Sequence, residues 1–358
     1  MEHTEDRITM LHRIPSPAFF VDSSIITDLN VPAQQHLIEP GSNISPLLAT
    51  GQDEYSQFQE GCLYLTLRIR DAVYSASVSA VGTSHLFVLE QAADEAELQS
   101  MALAAQALRT PLSNVMSVAG QLFPLAASDA SEQTRSQVAR INRSLYQMMR
   151  VVCNMSDAYR YSKENVLRTE VHNVSALIRE LFDRAAPLAE STGITVRYRG
   201  PQEMIFCLVD EEKLERAISN MISNAMKFTP NGGTVDVQLI RKGKMLYLTV
   251  QDTGCGISDS VAGNLYNRYQ RQPGLEDSRF GLGLGMVIIR SAATAHGGTV
   301  LTQRGQHFGL RLTMTIPIRQ ATDPMVRSPM IHVDYAGEWD HLLLELSDCL
   351  PPELYLPE

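Results

Sequence analysis

The most informative segment of this sequence reads Asn220-Met221-Ile222-Ser223-Asn224-Ala225-Met226-Lys227. Its apolar residues, with those just before it, predict a helix with one buried face. Asn220 and Asn224 are four residues apart, so their amides project from the same side, and Lys227 follows within one turn. Amide oxygens suit Mg²⁺, and a lysine supplies a point charge to phosphate. Taken alone, such a pair is more often a solvated helix surface.

Two glycine-rich segments follow along the chain. The first comes directly after the strand-like Met245–Val250 and reads Asp252-Thr253-Gly254-Cys255-Gly256-Ile257. An aspartate at a strand end can accept a hydrogen bond from an adenine amino group, and glycines let the base approach the backbone. The second precedes a predicted helix and reads Phe280-Gly281-Leu282-Gly283-Leu284-Gly285. Amides exposed at a helix N-terminus bind phosphate oxygens. Each segment alone is also typical of a tight turn, but their order and spacing predict a nucleotide site.

Together these segments resemble the asparagine box and the two glycine boxes of the ATPase domain of sensor histidine kinases, within the wider family shared with gyrase and Hsp90. Leu265-Tyr266-Asn267-Arg268-Tyr269 resembles the aromatic box of the lid. The resemblance implies an α/β sandwich over residues 166–320 that binds ATP and Mg²⁺. It implies that Asn224 holds Mg²⁺, that Asn220 and Lys227 contact phosphates, and that Asp252 holds adenine. The pocket and lid would be shaped by Gly254, Gly256, Gly281, Gly283 and Gly285.

One position separates the branches of that family. The hydrolytic members carry a glutamate one helical turn before the magnesium asparagine, where it acts as general base on water. This chain has Asn220 there, so we expect no fast ATP hydrolysis and a closer likeness to the kinases.

Residues 92–165 predict a helical hairpin. Apolar residues from Leu98 to Leu122 and from Val138 to Tyr159 recur at alternating steps of three and four, separated by a break at Phe123–Ser131. A sustained 3.5-residue repeat is typical of a coiled-coil seam. Pairing of two such hairpins into a four-helix bundle would bury the seam, so we expect a homodimer. The alternative is that the hairpin packs on its own flanking domains.

The hairpin contains Ala105-Gln106-Ala107-Leu108-Arg109-Thr110-Pro111-Leu112. This resembles the phosphoacceptor box of histidine kinases, S-H-E-L-R-T-P-L, in which Pro111 would kink the helix. Gln106 stands in the place of the histidine, and a glutamine amide has no nucleophilic nitrogen. No histidine lies between His85 and His172, so we do not expect autophosphorylation. Thr110 occupies the position that helps orient water when a response regulator is dephosphorylated; the alternative is an exposed helix residue.

Residues 1–91 predict a mixed α+β domain. Five apolar stretches alternate with turn residues: Ala18–Val21, Ile25–Leu29, Leu63–Ile69, Val73–Val81 and Leu86–Leu89. A helix start of the form N-x-P-A-x-Q follows the second stretch, beginning at Asn30. This order resembles a PAS sensor domain, and nothing in it marks a haem or flavin site. The fold class as a whole is therefore multidomain α+β.

The bulk composition limits the classes of function. A formal net charge of −10 over 358 residues argues against nucleic-acid binding, which needs a basic face. Five scattered cysteines favour free thiols in a reducing compartment. No apolar run approaches a membrane span, and the N-terminus does not resemble a secretory signal. These features predict a cytoplasmic protein. The acidic tail, residues 321–358, either docks back on the body or binds a partner.

Three functions agree with these features. The chain would bind Mg-ATP and act on phosphoryl transfer with a response regulator or another histidine kinase chain. Alternatively, it is an ATP-binding pseudokinase whose nucleotide sets the conformation of a docking hairpin. A third function is a phosphatase for a response regulator. The sequence leaves open whether the ATP-dependent protein-histidine phosphotransferase activity of the class survives.

Overall fold

The computed structural model describes residues 2–36, 38–89, 93–128, 131–163, 167–256, 284–305, 309–319 and 340–356. Within them, mixed helices and strands build an N-terminal sheet, a helical hairpin and a C-terminal α/β sandwich. The predicted mixture of helices and strands is confirmed. No described helix is long and apolar enough to cross a membrane.

The N-terminal part forms an antiparallel sheet with short helices on it. Its strand order is β2-β1-β5-β4-β3, and the strands lie where the alternating apolar stretches predict them. The elements are α1 (Glu2–His12), β1 (Ala18–Asp22), β2 (Ile25–Leu29), α2 (Val31–Gln35), α3 (Gln52–Ser56), β3 (Cys62–Ile69), β4 (Ala72–Val81) and β5 (Ser84–Leu89).

Asn30 explains why the chain turns from β2 into α2. Its side-chain oxygen accepts hydrogen bonds from the N–H groups of Ala18 and Ala33, each at 3.0 Å, so it caps the helix and ties it to β1. Its amide donates to the carbonyls of Ile14 and Ser16 at 3.0 and 2.8 Å. A buried asparagine with all these partners fixes the local fold.

The hairpin consists of α4 (Ala93–Ser128) and α5 (Glu132–Lys163). The break that the sequence predicts from Phe123 begins later, because α4 continues past Pro124 to Ser128. A proline removes one helical hydrogen bond, to the carbonyl four residues earlier. That residue is Gly120, which is exposed, so water can bond its carbonyl in place of the missing amide.

The single chain buries three of the eight predicted seam residues on α4. Leu98 and Ala105 are buried, whereas Leu108, Val115 and Leu122 remain exposed. On α5, Val138, Leu145 and Val152 are buried, whereas Ile141 and Met148 are exposed. One hairpin therefore leaves an apolar stripe on its outer side.

The C-terminal part is a sandwich of helices on a five-stranded sheet of order β11-β12-β10-β9-β7, with β7 and β9 parallel. A separate ribbon pairs β6 with β8. The elements are β6 (Glu170–Asn173), α6 (Val174–Glu190), β7 (Thr195–Arg199), β8 (Phe206–Val209), α7 (Glu211–Phe228), β9 (Thr234–Lys242), β10 (Met245–Asp252), α8 (Leu284–His296), β11 (Val300–Arg304) and β12 (Leu310–Pro317).

The two sheets join edge to edge. Antiparallel pairing of β3 with β11 places Tyr64 opposite Val300 and makes one ten-stranded sheet. At the joint, a Cβ on Gly61 would lie 2.0 Å from the Thr302 carbonyl oxygen, so only glycine permits this approach. Arg290 of α8 is buried with its guanidinium 4.5 Å above the Tyr64 ring.

The end of the chain docks on the body. It forms α9 (His341–Glu345) and two 3-10 turns, Leu346–Asp348 and Pro352–Tyr355, which pack against α5 and α7. Leu344, Leu346 and Leu350 are fully buried. Of the two interpretations that the sequence leaves open for the tail, the structure favours docking on the body.

Candidate nucleotide-binding site

The start of α7 is fixed by a buried polar contact with the end of α8. Asp210 caps α7, because its carboxylate accepts from the Lys213 N–H at 3.1 Å. The Asp210 N–H donates to Nε2 of His296 at 3.0 Å, and Nδ1 of His296 donates to the Ala292 carbonyl at 2.7 Å. Burial lowers the pKa of His296, so the ring is neutral at pH 7 and serves as acceptor and donor at once.

The asparagine pair faces the first turn of α8. A Cβ on Gly285 would lie 2.7 Å from Oδ1 of Asn220 and 3.6 Å from Oδ1 of Asn224. The Asn220 amide donates to the Arg216 carbonyl at 2.9 Å, and the Asn224 amide lies 3.8 Å from Sδ of Met286. Both side-chain oxygens are thus directed to the helix N-terminus, where backbone amides and the helix dipole favour anions.

Asp252 lies at the end of β10, 4% exposed. Its Oδ1 accepts hydrogen bonds from the N–H groups of Gly254 at 2.9 Å and Leu310 at 3.2 Å. Burial raises the pKa of Asp252, and these two backbone donors oppose the shift. The carboxylate is held rigidly, as a group that orients a base must be.

Glycine at position 254 lets this segment lie against the end of α7. A Cβ there would come within 2.1 Å of the Phe228 carbonyl oxygen. Gly256 has a positive φ of 68°, which favours glycine. The first glycine segment and the asparagine helix are therefore in direct contact, as their proposed shared site requires.

Lys227 lies on the same helix, 9% exposed, and its Nζ is 3.2 Å from a carboxylate oxygen of Asp348 in the tail. No sequence pattern indicates this partner, which lies 121 positions further along the chain. Gly281, Gly283 and the segment resembling the aromatic box lie outside the described residues.

The hairpin reaches the site at the first turn of α8. Leu98 of α4 and Ala158 of α5 form a small buried cluster with Leu284 and Val287. Gln106 lies eight residues beyond Leu98, about 12 Å along the helix axis, and is exposed, as is Thr110. The acceptor position is therefore on an accessible surface of a helix that contacts the candidate site.

A buried ion cluster joins α5, α7 and the tail, and sequence reasoning missed it. Arg216 donates to Asp157 at 3.0 Å, to Glu345 at 3.2 Å and to Asn154 at 2.7 Å. Burial alone would lower the pKa of Arg216, but the charges of Asp157 and Glu345 outweigh it and hold that pKa above its ordinary value. These partners are too far apart in sequence for any local pattern to reveal them.

Comparison with known proteins agrees with this geometry. Residues 209–320 match the family described as histidine kinase-, DNA gyrase B- and HSP90-like ATPase. The chain is 28% identical over 235 residues to hybrid signal transduction histidine kinase D of Dictyostelium discoideum, covering 62% of this chain and 15% of that protein. It is 26% identical over 248 residues to the histidine protein kinase DivJ of Caulobacter vibrioides, covering 66% and 41%.

A solved structure, full-length ShkA in complex with AMPPNP, is similar in fold, with a TM-score of 0.51 at 22% identity over 63% of this chain and 47% of that one. The chain spans less than half the length of each of these three proteins. The ATPase match over residues 209–320 and the histidine kinase relatives support a sensor histidine kinase family for this chain.

Proposed function

We propose that this protein binds Mg-ATP and acts on phosphoryl transfer with a partner chain. The observation that carries the proposal is the meeting of Asn220, Asn224 and Gly285 at the N-terminus of α8. Two amide oxygens beside a helix N-terminus offer ligands to a hydrated Mg²⁺ and amides to phosphate oxygens.

Different residues of the site would bind the metal ion, the phosphates and the adenine base of Mg-ATP. Asn224 would hold Mg²⁺, Asn220 and Lys227 would contact phosphates, and Asp252 would accept a hydrogen bond from the adenine amino group. Mg²⁺ would supply positive charge to the phosphate oxygens. With Asn220 in place of an acid, the described residues of this helix face carry no general base for attack by water, which favours kinase chemistry over hydrolysis.

Phosphoryl acceptance on another chain is the main form of the proposal, because Gln106 occupies the acceptor position. The test is incubation with labelled ATP, alone and with the response regulators and histidine kinases of its own organism, beside Gln106→His. We expect label on a partner's histidine and, in the reverted chain, on position 106. Failure of every partner and of Gln106→His to take up label would contradict a phosphotransferase.

A pseudokinase is the second candidate. Its supporting observation is the direct contact of the hairpin with α8 through Leu98, Ala158 and Leu284, by which nucleotide binding would bias the hairpin. In that case ATP binds and persists unconsumed, and Asn224→Ala abolishes a nucleotide-dependent change in hydrogen exchange of α4 and α5. The phosphatase alternative relies on exposed Thr110, and an unchanged phosphoaspartate decay rate in Thr110→Ala would contradict it.

Homodimerisation through residues 92–165 is part of the proposal. The supporting observation is the exposed apolar stripe on the hairpin, to which α4 contributes Leu108, Val115 and Leu122 and α5 contributes Ile141 and Met148. A second hairpin would bury it in a four-helix bundle.

Residues 1–91 would serve as a PAS-type sensor. The strand order β2-β1-β5-β4-β3 supports this role, as does an open pocket of about 640 Å³ whose lining includes Ser23, Tyr55 and His85. The five cysteines are thiols in the structure, which supports a reducing cytoplasm as the location.

A further inference from the structure

The carboxylate of Asp348 is held in an anion site made by two helices. Lys227 of α7 lies 3.2 Å from its Oδ2, and Arg150 of α5 donates to the same oxygen. Gln147 of α5 donates to its Oδ1 at 3.4 Å. The Asp348 side chain is only 10% exposed. Two cations and an amide thus converge on a single carboxylate, which is the arrangement that proteins use for a phosphate group.

The segment that carries Asp348 is firmly placed. Glu345, 1% exposed, pairs with Arg216 at 3.2 Å and lies 3.7 Å from Arg150. Ser223 of α7 donates to the Glu345 carbonyl at 3.1 Å, and Arg143 of α5 donates to the Ser347 carbonyl at 2.9 Å. Because buried contacts surround it, Asp348 is a fixed neighbour of Lys227 and not a chance contact of a loose tail.

We propose that Asp348 is an internal substitute for a nucleotide phosphate, so that docking of the tail and binding of a nucleoside triphosphate compete for Lys227. This inference rests on the proposed function, which assigns Lys227 to the phosphates. One ammonium group with three donors can serve a carboxylate or a phosphate oxygen, and a phosphate placed beside Asp348 would meet like charge. The docked tail therefore lowers the affinity for nucleotide.

The competition acts in both directions. If the tail weakens nucleotide binding by some factor, then bound nucleotide weakens tail docking by the same factor. Since the tail also ties α5 to α7, its release would loosen the hairpin from the ATP-binding domain. We expect a factor of about ten, within the range of typical coupling between sites.

The experiment is a titration of the full chain with Mg-AMPPNP by calorimetry. The compared chains are the wild type, Asp348→Asn, Asp348→Glu and Glu353→Gln. Glu353 is exposed in the same tail, so its substitution removes one negative charge without touching Lys227. We expect Asp348→Asn to lower Kd about tenfold, and both Asp348→Glu and Glu353→Gln to keep the wild-type Kd.

Equal affinity of Asp348→Asn and the wild type, or an equal gain in Glu353→Gln, overturns the competition while leaving ATP binding intact. Absence of binding in every chain overturns the proposed function and this inference with it. A second measurement needs no variant: hydrogen exchange of residues 342–356 in the wild type. Saturating Mg-AMPPNP should speed exchange there about tenfold, and unchanged protection would contradict the proposal.

Discussion

Helices α7 and α4 both carry a motif of the family, and they differ in how the motif is surrounded. On α7, Asn220 is buried and touches the neighbouring helix, and Arg216 one turn earlier joins the core ion cluster. On α4, Gln106 is exposed. A side chain embedded among buried partners cannot change without cost to folding, whereas an exposed one can. A substitution at Asn220 would therefore cost stability, whereas a substitution at Gln106 would not.

The first prediction concerns the contribution of α7 to the stability of the folded chain. Arg216→Ala removes the buried cation that Asp157 and Glu345 share and leaves each of them one other arginine, Arg160 and Arg150 respectively. The loss should lower the free energy of unfolding by about 3 kcal/mol, the low end of the range for a broken buried ion pair. Chemical denaturation measures this. Arg199→Ala breaks an exposed pair with Asp236 and should cost less than about 1 kcal/mol. Equal losses of stability in the two variants would show that Arg216 contributes no more to folding than an exposed arginine, which would contradict the view that α7 is embedded in the core.

The second effect concerns the base-binding end of the site. In Asp252→Asn, the remaining side-chain oxygen still accepts from Gly254 and Leu310, so the new amide would face the adenine amino group. Loss of one charged hydrogen bond predicts nucleotide binding weaker by about 1.5–3 kcal/mol. Calorimetry with Mg-AMPPNP checks it, with Asp236→Asn, a partly exposed aspartate on β9, as the control. An unaltered affinity for Mg-AMPPNP would show that Asp252 does not bind the adenine base.

The sequence predicts some contacts of α7 and does not predict others. Local spacing predicts that Asn220 and Asn224 share one helix face, and the family resemblance predicts that this face meets the second glycine segment, as it does at Gly285. The contact between Lys227 and Asp348, and the cluster around Arg216, depend on chain segments that lie 59 to 129 residues apart. No period or motif records such pairings.

The hairpin illustrates an intermediate case. Its 3.5-residue repeat predicted two apolar helices, which α4 and α5 confirm, but not which members of the repeat the single chain would bury. Leu108 and Val115 belong to the repeat and yet remain exposed, because α5 covers only one side of α4. The predicted break from Phe123 was wrong because α4 continues past Pro124 to Ser128. An exposed helix tolerates the loss of one hydrogen bond.

The third effect concerns dimerisation through the seam of the hairpin. Leu108→Ser should weaken association of two chains by roughly 1 kcal/mol per chain, about half the gain from fully burying a leucine. Sedimentation at several concentrations measures the dimer. Leu103→Ser changes an equally exposed leucine that lies off the predicted seam, and it should leave the dimer intact. Equal weakening by both would argue against the seam as the interface.

The smallest effect is a pH dependence at the start of α7. Burial lowers the pKa of His296 in the folded chain, so the unfolded chain binds a proton more readily on acidification. Stability should therefore fall as pH drops through the unfolded value of about 6.5. Melting temperatures at pH 7.5 and 5.5 measure it. His296→Asn should reduce the slope, whereas exposed His12→Asn should not; equal slopes in all chains would contradict this origin.

The edge-to-edge joint of β3 and β11 has a consequence for how the chain can be divided. The boundary near residue 91 that the sequence suggests cuts through a continuous sheet. A fragment beginning there would expose the backbone of Val300–Thr302 as an unpaired strand, which is a template for aggregation. The N-terminal sheet thus covers an edge of the C-terminal sheet, so the two are best expressed as a single unit.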